Sequence, residues 1–93
     1  MATFLIEAYE PTRRGASLGD IERRARTATA ELSREGTAVR YLRSIYVPAD
    51  ETRFHLIESP SIEAVQEVGR RAGLDFGRIS ETFEPAVDNE AQA

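Results

Sequence analysis

The chain has 93 residues, with 16 acidic and 12 basic side chains and a formal net charge of −4. This length suits one domain, and the absence of cysteine excludes disulfides, thiolate catalysis and most structural zinc sites. We expect a cytoplasmic protein, because no stretch has the pattern of a secretory signal or approaches the roughly 20 apolar residues of a membrane span.

The first two predicted elements are a strand and a helix. Alternation of side-chain character predicts a strand over residues 3–11. After a loop, Ser17 and Asp20 have the spacing of a capping box, which marks a helix start. The helix has an apolar stripe at steps of three and four residues, formed by Leu18, Ile21, Ala25, Ala28 and Leu32. Gly36 is placed to end it in a left-handed cap.

A hairpin follows the first helix. Residues 38–47 are rich in β-branched and aromatic side chains, which predicts a second strand. Residues 48–51, with the sequence PADE, are typical of a turn. The sequence TRFHLIES over residues 52–59 predicts the returning strand.

A second helix and a fourth strand complete the pattern. Ser59 and Pro60 predict the helix start, because proline is tolerated at the first helical position. Gly73 is expected to end this helix, and its apolar stripe consists of Ile62, Val65, Val68 and Ala72. Residues 77–85 predict the last strand, and residues 86–93 lack any pattern and are expected to form a disordered tail.

The order βαββαβ predicts a ferredoxin-like α+β fold. We therefore expect one domain over residues 1–85, with a four-stranded antiparallel sheet and two helices on one face. In the usual strand order of this fold, the third strand lies between the first and the second.

Charged side chains indicate which face of the sheet the helices cover, because burying an unpaired charge is costly. Since Glu7 and Arg43 are poor core residues, we predict that the helices cover Phe4, Ile6, Ala8, Leu42, Ser44, Tyr46, Phe54 and Leu56. The open face then carries Leu5, Glu7, Tyr9, Tyr41, Arg43, Ile45, Arg53, His55 and Ile57. Such an apolar surface usually marks an interface, so we expect a homodimer that packs by sheet faces or by edges.

His55, the single histidine, is predicted to lie on this open face beside Glu7 or Arg43. The three side chains could pair with one another, form a ligand pocket, or support acid–base catalysis by His55. No nucleophile or second base accompanies the histidine, so no catalytic residue is assigned and an enzyme is the less favoured class. The candidate ligand-binding residues are Glu7, Tyr9, Tyr41, Arg43 and His55.

Metal and nucleic acid are weaker candidates as partners. A metal site needs several ligands, and His55 with Glu7 or Glu58 would depend on a homodimer to double their number. No histidine pair or cluster of acids is present, so we expect no tightly bound metal and no other cofactor. RNA-recognition domains share this element order, but residues 52–59 lack their motif of stacking aromatics and the net charge is negative.

The stretch VRYLRSIYVPADETRFHLIESPSIEAVQEVGRRAGLDFGRISE, with FLIEAY near the start, resembles a known group of proteins. These are small bacterial domains of unknown function related to the nickel-binding ferredoxin-like protein family. The phrase ESPSIEAVQEVGRRAG is the most characteristic part. The resemblance implies a ferredoxin-like homodimer and, for the nickel-binding members, histidine ligands at the dimer interface.

Two positions depart from what the resemblance implies. Where such relatives often carry a histidine, this chain has Arg43 in the second strand and Val68 in the second helix. Because Arg43 would place a positive charge where a cation should bind, we expect a small anionic ligand in the dimer cleft, held by Arg43, His55 and Tyr9. Two alternatives stay open: nickel bound through His55 and Glu7 of two subunits, and a cofactor-free dimeric α+β barrel enzyme acting on a small organic substrate.

Overall fold

The computed structural model describes residues 1–11 and 18–83, except for the side chain of Leu18. Its strands and helices are β1 (Ala2–Tyr9), α1 (Leu18–Arg34), β2 (Arg40–Val47), β3 (Thr52–Ser59), α2 (Ile62–Ala72) and β4 (Asp75–Thr82). The order βαββαβ confirms the predicted ferredoxin-like fold. Ser17 and the predicted tail over residues 86–93 lie outside the described residues. No helix in the described ranges is long and apolar enough to cross a membrane.

The helix ends follow from local chemistry. Gly36 and Gly73 end their helices as predicted, and with φ angles of 106° and 70° both adopt the left-handed conformation that was predicted for Gly36. The start of α2 differs from the prediction, because Ser61 is the N-cap and its hydroxyl accepts a bond of 3.2 Å from the N–H of Ala64. Ser59 instead donates its buried hydroxyl to the Ser61 carbonyl at 2.7 Å.

The sheet has the strand order β2-β3-β1-β4, and every neighbouring pair is antiparallel. As predicted, β3 lies between β1 and β2. The two edge strands are β2 and β4. The register between β2 and β3 shifts between Tyr41 and Arg43, which marks a β-bulge in the edge strand.

The core lies between the two helices and one face of the sheet. Phe4, Ile6 and Ala8 are buried there, as the alternation in β1 predicts. The helices contribute their small and branched residues, namely Ala25, Ala28, Leu32, Val65, Val68 and Ala72. At Gly69 a Cβ atom would overlap the ring of Phe76, so glycine at this position lets α2 approach β4 closely.

The predicted facing of β3 is wrong. Arg53, His55 and Ile57 are at most 7% exposed and face the helices. Phe54 and Leu56, predicted for the core, point to the opposite side, because successive side chains of a strand alternate. A shift of one residue exchanges every side chain between the two faces. The cost of burying Arg53 and His55 is offset by polar partners on the same side.

The bulge changes the facing of β2. Ser44 and Tyr46 face the helices as predicted, since both hydrogen-bond to groups on that side. Tyr41 was predicted for the open face, but it is only 8% exposed and belongs to the core. An extra residue in the bulge reverses the alternation, so side chains at an odd and an even position share one face. Leu42, predicted for the core, lies at the bulge and is half-buried.

Candidate functional site

The five predicted site residues divide between the two faces of the sheet. Glu7, Tyr9 and Arg43 lie on the open face, the side that neither helix covers. Tyr41 and His55 lie on the helix-covered face. The prediction that His55 neighbours Glu7 or Arg43 is wrong, and its side-chain partner is Tyr41. One small molecule on the open face therefore cannot contact all five side chains.

A polar cluster occupies one end of the helix-covered face, and its members are Glu10, Glu22, Ser44, Tyr46 and Arg53. Glu10 and Arg53 are buried, and the other three are half-buried. Arg53 donates from Nε to Glu10 Oε1 at 2.7 Å and from a terminal nitrogen to Glu10 Oε2 at 3.2 Å. Its other terminal nitrogen donates to Ser44 Oγ at 2.8 Å, and Ser44 donates to Glu22 Oε1 at 2.7 Å. The Tyr46 hydroxyl donates to the Glu10 carbonyl at 2.6 Å.

The charges in this polar cluster stabilise one another. The carboxylate of Glu10 raises the pKa of the Arg53 guanidinium above its usual value. The hydrogen bond from Ser44 lowers the pKa of Glu22. A buried ion pair is tolerated when hydrogen bonds satisfy its remaining donors and acceptors. This cluster supplies them from α1, β2, β3 and the residue that follows β1. It therefore fixes the first helix on the sheet.

His55 and Tyr41 form a second buried unit beside this polar cluster. The Tyr41 hydroxyl lies 2.6 Å from His55 Nδ1, and the two rings meet edge to face. His55 has no exposed surface, and its Nε2 has no hydrogen-bond partner among the described residues. The guanidinium of Arg26 lies 4.7 Å from the centre of the Tyr41 ring, a cation–π distance.

Burial sets the protonation of this pair. Burial, assisted by the charge of Arg53, lowers the pKa of His55 to about 4. Burial raises the pKa of Tyr41 to about 12. Both groups are therefore neutral near pH 7, and neither pKa lies close to the operating range of a general acid or base. We infer that His55 positions the ring of Tyr41 and that the two side chains do not transfer protons.

The stability of the protein is expected to fall as the pH drops from about 6.5 to about 4. The folded pKa of His55 is depressed to about 4 from the ordinary value of 6.5, so the unfolded chain binds its proton more readily. The stability that the neutral imidazole contributes is complete above pH 6.5 and is lost on acidification. This difference corresponds to about 3 kcal/mol. Urea unfolding of the wild type and His55→Gln across this range measures it.

Carboxylates also titrate in the lower part of this range, and they are the same in both proteins. The difference between the two pH profiles therefore isolates His55. Parallel profiles, or an NMR titration of His55 with a midpoint near 6.5, would contradict the expectation.

The open face is apolar with a few charges. Adjacent residues on β2, β3 and β1 form two rows, and these are Arg43, Leu56 and Leu5, then Ile45, Phe54 and Glu7. Ile45 and Tyr9 are 51% and 52% exposed. Glu7 lies 4.0 Å from Arg78, whereas Arg43 forms no ion pair with any residue that the structure describes. The face thus combines an uncovered apolar surface with one unpaired positive charge.

Sequence analysis missed the partners of Arg53. Glu10 follows the last residue of β1, and Arg53 is aligned with Ala8 near the same end of the sheet. Opposite charges at matching ends of two predicted neighbouring strands were the available signal. Glu22 gave no such signal, because its approach to Ser44 depends on how α1 lies across the sheet.

Comparisons with known proteins agree with this fold. The family model described as "Nickel responsive protein SCO4226-like" matches residues 4–82. The crystal structure of SCO4226 from Streptomyces coelicolor A3(2) is similar, with a TM-score of 0.71 and 27% sequence identity. That match covers 91% of this chain and 100% of the other. No curated protein matches. The chain therefore belongs to the SCO4226-like family of nickel responsive proteins.

Proposed function

We propose that this protein is a cytoplasmic homodimer whose two open faces enclose a small anionic ligand. The observation that carries the proposal is the uncovered apolar surface of Leu5, Ile45, Phe54 and Leu56. Both helices pack on the other side of the sheet, so no element in the described ranges covers this surface. A small domain has a limited core, and dimerisation buries further apolar area.

Arg43 supports an anionic ligand. Its guanidinium has no carboxylate partner among the described residues, while Glu7 on the same face already has Arg78 nearby at 4.0 Å. A two-fold axis that passes near β2 brings two copies of Arg43 into one cleft. Such a pair of like charges is stabilised when an anion lies between them, and a guanidinium binds carboxylate or phosphate through two hydrogen bonds.

Calorimetric titration with benzoate and with inorganic phosphate tests the ligand class. We expect saturable binding by the wild type and at least about tenfold weaker binding by Arg43→Gln, since the substitution removes both guanidinium groups of the cleft. Arg70→Gln is the matched control, because Arg70 lies on the exposed side of α2 and pairs with Glu67. Equal affinity of the wild type and Arg43→Gln, or no saturable binding at all, contradicts the anion proposal.

The description of the family favours nickel as a second candidate ligand. The described residues do not fit such a site in one chain. His55 is buried with its Nδ1 beside the Tyr41 hydroxyl, and Glu7 lies on the opposite face of the sheet. Within the described ranges, no group of three or more histidine, aspartate or glutamate side chains could hold a metal ion.

Purified protein without a histidine tag is therefore expected to contain far less than one nickel ion per chain. A nickel site needs several imidazole or carboxylate ligands, and the single imidazole is enclosed in the core. Elemental analysis of the wild type measures the metal content. Stoichiometric nickel that disappears in His55→Ala would establish nickel binding and refute this expectation.

A further inference from the structure

A groove runs between α1 and the start of β2, away from the open face. It is a shallow groove that is open to solvent, and its volume is about 390 Å³. The residues that line it are Arg26, Thr29, Ala30, Ser33, Arg34, Val39, Arg40 and Tyr41. None of them is acidic, and three are arginines contributed by two different elements.

The floor of the groove is apolar and its hydroxyl groups are already used. Thr29 donates to the carbonyl of Ala25 at 2.8 Å, and Ser33 donates to the carbonyl of Val39 at 2.8 Å. The Tyr41 hydroxyl is engaged with His55. A ligand here meets the aliphatic and aromatic surfaces of the floor, and its polar group can bond only to the arginines.

The three arginines are not equivalent. Arg26 pairs with Glu22 at 3.0 Å, and Arg40 pairs with Glu58 at 2.9 Å. Both partner carboxylates lie outside the groove lining, so they neutralise these two charges without placing an acid in the groove. Arg34 forms no ion pair or hydrogen bond with any residue in the described part of the chain. Glu35, the next residue in the chain, interacts electrostatically with Arg34, but its carboxylate pairs with Arg71 and lies outside the groove lining. Arg34 is therefore the groove arginine whose guanidinium is available to an anion.

We propose that this groove binds a small amphipathic monoanion, such as an aromatic or aliphatic carboxylic acid, with its carboxylate on Arg34 and its apolar body against Ala30, Val39 and Tyr41. The site is separate from the proposed dimer cleft, because Arg34, Ala30 and Tyr41 lie on the helix-covered side of the sheet. Arg40 borders the groove from the other side of β2, since it is aligned with Glu58 on the open face.

The proposed site also gives the buried histidine a role. His55 and Arg26 hold the Tyr41 ring from two sides, so the floor is formed before a ligand arrives.

Two probes of the same shape test this proposal. 2-Naphthoate carries the carboxylate, and 2-naphthalenemethanol replaces it with a neutral hydroxymethyl group. Each is titrated into protein whose methyl and aromatic resonances are followed by NMR. We expect 2-naphthoate to shift the methyl resonances of Ala30 and Val39 and the ring of Tyr41 in a saturable way. The neutral probe is expected to bind at least about tenfold more weakly, because it forms no charge-assisted bond with Arg34.

Substitutions identify the arginine that binds the carboxylate of 2-naphthoate. Arg34→Gln is expected to weaken 2-naphthoate about tenfold and to leave the neutral probe unchanged. Arg70→Gln, on the exposed side of α2, serves as the control for a lost surface charge and should bind as the wild type does. Equal binding of the two probes, or an unaltered affinity in Arg34→Gln, overturns the proposal. Shifts confined to Leu5 and Leu56, with weakening by Arg43→Gln, also overturn it and would instead place the probe in the proposed dimer cleft.

Discussion

Replacing Ile45 by aspartate is expected to convert the proposed dimer into a monomer. Ile45 is 51% exposed in a single chain, so its own fold loses little contact when the side chain changes. In a two-fold interface the substitution occurs twice, and each buried carboxylate without a partner is costly. A total loss of at least about 3 kcal/mol weakens association more than a hundredfold. Light scattering at micromolar concentration then reports one chain mass instead of two.

Two control variants test whether the effect belongs to the apolar contact at Ile45. Gln66→Asp adds the same charge to an exposed position of α2 and should leave the dimer intact. Ile45→Thr keeps a β-branched residue in the strand, so any change in its association reflects lost apolar contact and not strand propensity. A wild-type protein that remains monomeric at high concentration would refute the dimer itself.

Replacing Glu10 by alanine is expected to destabilise the fold by about 3 kcal/mol or more. Arg53 keeps its hydrogen bond to Ser44 and the Glu22 carboxylate 3.7 Å away, but it loses both hydrogen bonds to the buried carboxylate of Glu10. Removing one partner of a buried ion pair costs about 3–5 kcal/mol, because the other charge stays out of water. Urea unfolding followed by circular dichroism measures the loss.

Glu67→Ala is the matched control for Glu10→Ala. Glu67 also forms ion pairs with Arg70 and Arg71, but these pairs lie on the surface of α2. Exposed ion pairs contribute at most about 1 kcal/mol. If the two substitutions lower the free energy of unfolding equally, the burial of Arg53 does not add to the stability of its ion pair, and our description of the polar cluster is wrong.

Local patterns predicted most of the fold. The alternation in β1 identified Phe4, Ile6 and Ala8 as core residues because apolar and polar positions in that strand differ clearly. The span of β3 was predicted without error, and the glycines at both helix ends adopt the left-handed conformation that ends a helix. Each of these features depends on residues that are neighbours in the chain.

The candidate site could not be predicted in the same way. In β3, Phe54 and Leu56 are more apolar than Arg53 and His55, so hydrophobicity alone selects the wrong face. The actual facing depends on polar partners far away in the sequence: Glu10 lies 43 positions from Arg53. A single sequence shows the cost of burying a charge but not the carboxylate or the hydroxyl that offsets it.

The bulge at Tyr41 and Arg43 lets the edge strand carry one residue more than its partner strand while both faces of the sheet stay intact. Tyr41 is aligned with Ile57 and Arg43 with Leu56, so Leu42 is the extra residue. Deleting Leu42 would make Tyr41 and Arg43 adjacent in a regular ladder, and both would keep their partners and their faces. A deletion or insertion at another position of β2 would instead exchange the faces of the residues on one side of it. Leu42 is thus the position at which β2 can change its length and preserve both proposed binding surfaces.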